Sequence, residues 1–220
     1  MIVEMCMSKN VETVQPDTFL LEAVRRMTSR HIRRLVVLDG ESIVGIICHH
    51  DIVRALPANI NPFSAIALDQ NQPSGRVHSC MTQPVITIDA GQPIEAAAQM
   101  MTQHHIGGMP VLQNHRLAGI VTESDIFRTF SKLLSGQSGS TRITFDVTAN
   151  ENALPFLVST TKALRLELVS VFSYFEGARR LAVARVQGGS ADPLVEKLWE
   201  SNHPVVNVLT TCFNNLATLD

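Results

Sequence analysis

No surplus of positive charge marks this 220-residue chain: 18 Lys and Arg stand against 20 Asp and Glu, a formal net charge of −2. Without a basic excess, the electrostatic attraction that drives nonspecific binding to phosphate backbones is missing, so nucleic acid is not an expected partner. No apolar run approaches the roughly 20 residues that cross a bilayer. The opening residues, MIVEMCMSKN, place Glu4 inside their apolar part and have no basic segment ahead of it, unlike a secretory leader. A cytoplasmic protein without a membrane partner is expected. Cysteine is scarce and scattered: Cys6, Cys48, Cys80 and Cys212 sit in apolar surroundings without CxxC spacing, a pattern of buried thiols rather than of zinc ligands or disulfides. Nucleophile elbow, GxGxxG and P-loop are all missing, so the common signatures of hydrolases, dehydrogenases and nucleotide triphosphatases are too. Hydrophobic residues at 45% and charged residues at 17% nevertheless describe a folded globular chain.

What is present is a repeat. Gly45 and Gly119, Asp51 and Asp125, Arg54 and Arg128, and Val37 and Val111 share one spacing of 74 residues, and Cys6-Met7-Ser8 matches Cys80-Met81-Thr82 at the same offset. Each copy reads β-α-β-β-α. A short extended piece (Val11 to Val14; Val85 to Ile88) leads into an amphipathic helix, with Leu20, Ala23, Val24 and Met27 at helical spacing in the first and Pro93 opening the second. Two apolar strands follow, joined by polar turns at Gly40-Glu41 and Asn114-His115, and a helix closes each copy after its Asp. The copies occupy 1–56 and 77–134, with a Pro-, Asn- and Gln-rich linker over 57–76. A Gly/Ser-rich linker at 135–141 then precedes a third unit, 142–211, whose pattern of strand, helix, two strands, helix and strand is that of a ferredoxin-like βαββαβ domain. The fold class expected is α+β / α/β.

The stretch GIVTESDIFRTF (119–130) and its counterpart GIICHHDIVRAL (45–56) pose the functional question. Thr122 followed three residues later by Asp125 is a helix-capping pattern, worth about 1 kcal/mol. The other copy keeps Asp51 where Cys48 replaces the Thr, which points to a job for the acid beyond the cap. A carboxylate at a strand-to-helix junction is suited to the paired hydroxyls of a ribose, and the helix start offers N–H groups to an anion. Thr122 is placed for a phosphate or sugar oxygen, and the apolar edges of Val85, Ile106, Met109 and Val121 for a flat purine.

On MSKNVETV, HIRRLVVLDGESIVGIICHHDI, MTQPVITI and HHIGGMPVLQNHRLAGIVTESDI, residues 1–134 resemble a tandem pair of CBS domains, the arrangement called a Bateman module. The resemblance implies two clefts that take adenosine-containing ligands such as AMP, ADP, ATP or S-adenosylmethionine. Carried over by position, it assigns Thr122, Ser124 and Asp125 to ribose and phosphate, the segments Thr82 to Val85 and Ser8 to Val11 to the base, and the backbone of Gly108, Met109 and Pro110 to the cleft lining, with Ile106 beside them. A second, weaker site would hold Asp51, Val11, Arg33 and Arg34, because Cys48 lacks the hydroxyl. The 142–211 unit resembles an ACT domain in its order of elements, although its first loop, TANENA, lacks the glycine that family commonly carries there. Dimerisation is therefore expected of it more than amino-acid binding.

Five arginines, Arg25, Arg26, Arg30, Arg33 and Arg34, fall within ten positions. Most such clusters are solvated faces, but Arg33 and Arg34, just before a buried strand, are placed to reach a polyphosphate. The adjacent pairs His49-His50 and His104-His105 point to opposite sides of an extended segment and do not share an ion. His50-Asp51 resembles the paired residues of HD phosphohydrolases, yet it follows a strand and not a helix, so no metal site and no catalytic residue is expected. The reading is a non-enzymatic sensor that requires no cofactor, takes an adenine nucleotide as regulatory ligand, forms a homodimer and acts on a protein target. The alternative is an oligomerising scaffold with degenerate ligand sites.

Overall fold

The computed structural model describes residues 1–55, 75–135, 139–150 and 152–210. Most of the sequence-predicted linker and the centre of the Gly/Ser-rich break lie outside the described residues. The chain divides into two units, Met1–Phe130 and Ser131–Asp220.

The repeat is realised twice, within the first unit except for the last turn of α4, which runs past Phe130. The first copy comprises β1 (Thr13–Val14), α1 (Leu20–Ser29), β2 (Arg34–Asp39), β3 (Ser42–Cys48) and α2 (His49–Ala55). The second comprises β4 (Ile88–Asp89), α3 (Ile94–His104), β5 (Gly108–Gln113), β6 (Arg116–Thr122) and α4 (Glu123–Leu134). Each makes a three-stranded sheet, β1-β2-β3 or β4-β5-β6, with the first pair parallel and the second antiparallel. The register is also repeated, Arg34 opposite Cys48 and Gly108 opposite Thr122. In α1 the apolar stripe Leu20, Ala23, Val24 and Met27 is buried, while Arg26 pairs with Glu22 one turn away on the open side. Pro93 stands at the N-cap of α3 in extended conformation, one residue ahead of the first turn. In the β5–β6 hairpin Asn114 and His115 both take positive φ, as a type I′ turn requires.

Each copy is completed by a segment that precedes the other. Val3 is fully buried among Ile88, Ala90, Ile94, Met109, Val111 and Val121 of the second copy, and its N–H donates to Gln92 O at 2.9 Å. Ser8 pairs with Ile120 of β6. Reciprocally, Val77 is buried with Val14, Leu20, Leu35 and Ile47 of the first copy, and Thr82 pairs with Ile46 of β3. Gly119 and Gly45 lie under these crossing segments: a Cβ at Gly119 would stand 2.9 Å from Ser8 O and against Met7, and one at Gly45 would meet Met81.

The second unit contains β7 (Thr141–Asp146), α5 (Ala153–Ala163), β8 (Glu167–Glu176), β9 (Arg179–Gln187), α6 (Asp192–Glu200) and β10 (Val205–Thr210). Its sheet has the order β10-β7-β9-β8, antiparallel throughout. Strand alternation sends Ile143, Phe145 and Ala184 into one core with Leu157 of α5 and Leu194 and Leu198 of α6. The edge strand β10 leaves Val206, Val208 and Leu209 exposed.

Candidate functional site

The acid of each repeat does the same local work. At the start of α4, the Thr122 N–H and hydroxyl donate to Asp125 Oδ2 at 2.9 and 2.7 Å, and the Asp125 N–H approaches Thr122 Oγ1 at 3.4 Å, a reciprocal capping box. At the start of α2, the Cys48 N–H donates to Asp51 Oδ2 at 2.8 Å. Asp51 thus caps a backbone donor that exists whatever side chain residue 48 carries. Its presence opposite a Cys is therefore no sign of a further role, which corrects the inference drawn from sequence. Arg128 Nη1 donates to Asp125 Oδ1 at 3.0 Å, and Asp125 is only 5% exposed. Of the roughly four lone-pair positions on that carboxylate, three already have donors.

Around Asp125 lies a cavity of about 450 Å³. One wall is the end of β6 and the start of α4, from Ile120 through Thr122, Glu123, Ser124 and Asp125 to Arg128. The other wall comes from the first copy: the segment Ser8 to Glu12 and the turn His31 to Arg34. The segment exchange puts Ser8 and Val11 here, because Ser8 is bonded to β6. Val11, Arg33 and Arg34, assigned from sequence to the weaker site, therefore share a cavity with Thr122, Ser124 and Asp125, and Thr82 and Val85 do not. Thr82 is paired to β3, and Val85 lines a separate cavity of about 500 Å³ with Ile43, Val44 and Pro84.

The apolar positions are also redistributed. Met109 and Val121, opposite one another in β5 and β6, are fully buried, and Gly108 and Pro110 are buried too. Ile106 packs against the same core. Strand alternation explains the correction: Met109 and Val121 face the core, and their side chains are not open to a base, whereas Ile120, next to Val121, lines the cavity together with Val11 and Ile32. Sequence reasoning had the segment Ser8 to Val11 at a base but missed Glu12, His31 and Glu123 as cavity residues. Arg128 was visible as a repeat match to Arg54 but carried no role.

A further cavity, of about 500 Å³, is lined by Cys48, His49 and His50 with Arg33, Arg34 and Glu123. Asp51, half-buried, does not line it. Burial pushes the Cys48 thiol up, and the nearby Asp51 carboxylate adds to the shift, so residue 48 presents a neutral thiol at neutral pH. Burial likewise lowers His49, reinforced by His50 and Arg33. Among the described residues no group of three or more His, Cys, Asp or Glu is placed to hold a metal ion, and no helix is long and apolar enough to cross a membrane.

The CBS domain profile matches residues 2–58 and 77–132. A CBS domain-containing protein of Dictyostelium discoideum is 33% identical over 135 residues, which cover 60% of this chain and 93% of that protein. An L-aspartate semialdehyde sulfurtransferase of Methanocaldococcus jannaschii is 30% identical over 131 residues, 59% of this chain but only 23% of the enzyme. Among solved structures, a CBS domain pair in complex with 5′-methylthioadenosine and S-adenosyl-L-methionine superposes with a TM-score of 0.50 at 30% identity, covering 60% of this chain and 97% of that one. With both profile matches falling on the two structural repeats, the chain belongs to the CBS domain family and carries its domains as a tandem pair.

Proposed function

We propose that this chain is a non-catalytic regulatory module that binds an adenosine-containing nucleotide in the cavity around Asp125. The observation that carries the reading is the composition of that cavity: a strand-to-helix junction with Thr122, Ser124 and Asp125, faced by two guanidinium groups, Arg33 and Arg34, from the opposite copy. The junction suits a ribose, with one lone pair of Asp125 open and Arg128, 62% exposed at its side chain, displaceable from another. The arginines suit a phosphate, and Ile120, Val11 and Ile32 supply apolar contact for a base. The relative crystallised with 5′-methylthioadenosine and S-adenosyl-L-methionine supports an adenosine-based ligand. Enzymatic activity is not carried over from the sulfurtransferase, since the shared stretch is less than a quarter of that enzyme.

The second unit, with its βαββαβ order and β10-β7-β9-β8 sheet, is a ferredoxin-like, ACT-like output domain in this reading. A second copy of the chain covers the exposed β10 edge. Ligand binding acts on a protein target by favouring one arrangement of the module over another, to the extent of its differential affinity. The competing reading is a scaffold whose clefts take no ligand. Its support is the engagement of Asp125 by the cap and by Arg128.

A thermal-shift series with AMP, ADP, ATP, S-adenosylmethionine and NADH separates the two, because a ligand that binds only the folded form raises its melting temperature. Asp125→Asn keeps an acceptor for the Thr122 N–H while removing the charge, and is expected to weaken binding roughly tenfold or more. Asp51→Asn is expected to change it less than threefold. Equal effects of the two substitutions would remove Asp125 from the site, and no shift with any ligand would favour the scaffold.

A further inference from the structure

The Thr122–Asp125 cavity and the Cys48–His50 cavity are both lined by Arg33, Arg34 and Glu123. The repeat supplies each cavity with its own strand end and helix start, but it supplies the adjacent arginine pair only once: at the 74-residue offset, Arg33 and Arg34 correspond to Gly107 and Gly108. The glycines leave the room that Arg34 takes. A Cβ at Gly107 would lie 3.3 Å from Arg34 Cζ and one at Gly108 would lie 3.4 Å from Arg34 Cδ, so a side chain at either position would compete with Arg34 for the same space.

The two arginines also differ from their neighbours in pairing. Arg26 is bonded to Glu22, Arg30 to Glu12 and Arg128 to Asp125. Neither the Arg33 nor the Arg34 guanidinium has a hydrogen bond or an ion pair among the described residues, although the Arg33 carbonyl accepts from the His49 N–H. Glu123 is the one carboxylate common to both cavities, so two cations face one anion where the cavities meet. A single oxyanionic group is what this arrangement lacks.

We propose that Arg33 and Arg34 form one anion position shared by the two cavities, so that a phosphate-bearing nucleotide bound in either cavity opposes a second in the other. The proposal rests on the nucleotide reading above and adds the rule of occupancy. A nucleotide in the Asp125 cavity draws both guanidinium groups to its phosphates. A second nucleotide then meets like charge and no free donors, and binds roughly 5- to 150-fold more weakly, the usual range of coupling between sites. A phosphate-free adenosine derivative is exempt, since it makes no demand on the arginines.

Isothermal titration of the full chain with ADP and with 5′-methylthioadenosine, each with and without inorganic pyrophosphate, tests this. The expected result is one tight ADP per chain, displaced by pyrophosphate, and 5′-methylthioadenosine binding that pyrophosphate leaves within twofold. The double substitution Arg33→Gln, Arg34→Gln is expected to weaken ADP at least tenfold and to leave 5′-methylthioadenosine within twofold. Two equal, independent ADP sites, or ADP binding indifferent to pyrophosphate in the unaltered chain, would overturn the shared position while leaving the nucleotide reading intact. Failure of both adenosine compounds to bind would instead remove the reading on which it rests.

Discussion

Asp51 and Asp125 show one residue type doing one local job in both copies. A carboxylate three residues past the end of a strand reaches back to a backbone N–H, and in the proposed function the same placement lets Asp125 offer an oxygen to a sugar hydroxyl. The spacing is plain in the sequence, but it does not distinguish a cap from a grip, because both require the acid at that position. His203 presents a different case. Its ring is 1% exposed, lies 5.9 Å from the Phe145 ring and 5.4 Å from the Phe156 ring, and has no hydrogen-bond partner at either nitrogen among the described residues. Leaving such polar atoms unmade costs roughly 1–3 kcal/mol, so His203→Phe is expected to raise the denaturant midpoint of the second unit. A lowered midpoint would show that the ring nitrogens are satisfied by solvent. Asp146 accepts from the Thr148 N–H and from Arg179, and these bonds, those of Thr148 first, hold its carboxyl down to about 2. A depressed carboxyl stabilises the folded form above its unfolded value of roughly 3.9 and loses that contribution as pH falls through the folded value. Arg179→Ala should shift acid unfolding of this unit to higher pH, read by circular dichroism.

At the scale of elements, the β-α-β-β-α order was legible because the repeat shows every strand and helix twice and because α1 and α4 carry apolar stripes at helical spacing. The exchange of leading segments was not. Val3 and Val77 announce themselves as apolar, and hydrophobicity has no direction, so nothing local says which sheet receives them. The same blindness misgrouped Val11, Thr82 and Val85 at the site. The glycines beneath the crossings test the arrangement. A methyl group at Gly119 presses on the Met7 side chain and on the Ser8 carbonyl oxygen, which is backbone, whereas the three atoms nearest one at Gly45 all belong to the flexible Met81 side chain. Gly119→Ala is expected to cost about 1–3 kcal/mol and Gly45→Ala distinctly less, measured by urea unfolding. Equal costs would mean that the Met7–Ser8 segment yields as readily as a methionine side chain.

For the whole molecule, each unit carries cores of its own: two clusters in Met1–Phe130, one per copy, and a separate one in Ser131–Asp220. Independent cores predict two calorimetric transitions, with a nucleotide raising only that of the first unit, by about 2.7 kcal/mol at a hundredfold excess over Kd. A single transition that moves as one would contradict this. The change of element order is plain in the sequence, but the boundary between the units falls at Phe130–Ser131, inside α4 and ahead of the Gly/Ser-rich stretch that composition marks as a linker.

The crossing segments bear on how the molecule is made. Residues 1–8 find their slot on β6, so an emerging chain has nowhere to put Val3 until Thr122 has left the ribosome. At ~5–20 residues per second the wait is roughly 5–25 seconds. Throughout that interval residues 1–8 are a short oily segment in search of a sheet not yet translated, and the first copy has to borrow Val77 before it closes. Synthesis speed across the middle of the message thus sets how long the newborn protein is open to chaperones and to its own kind.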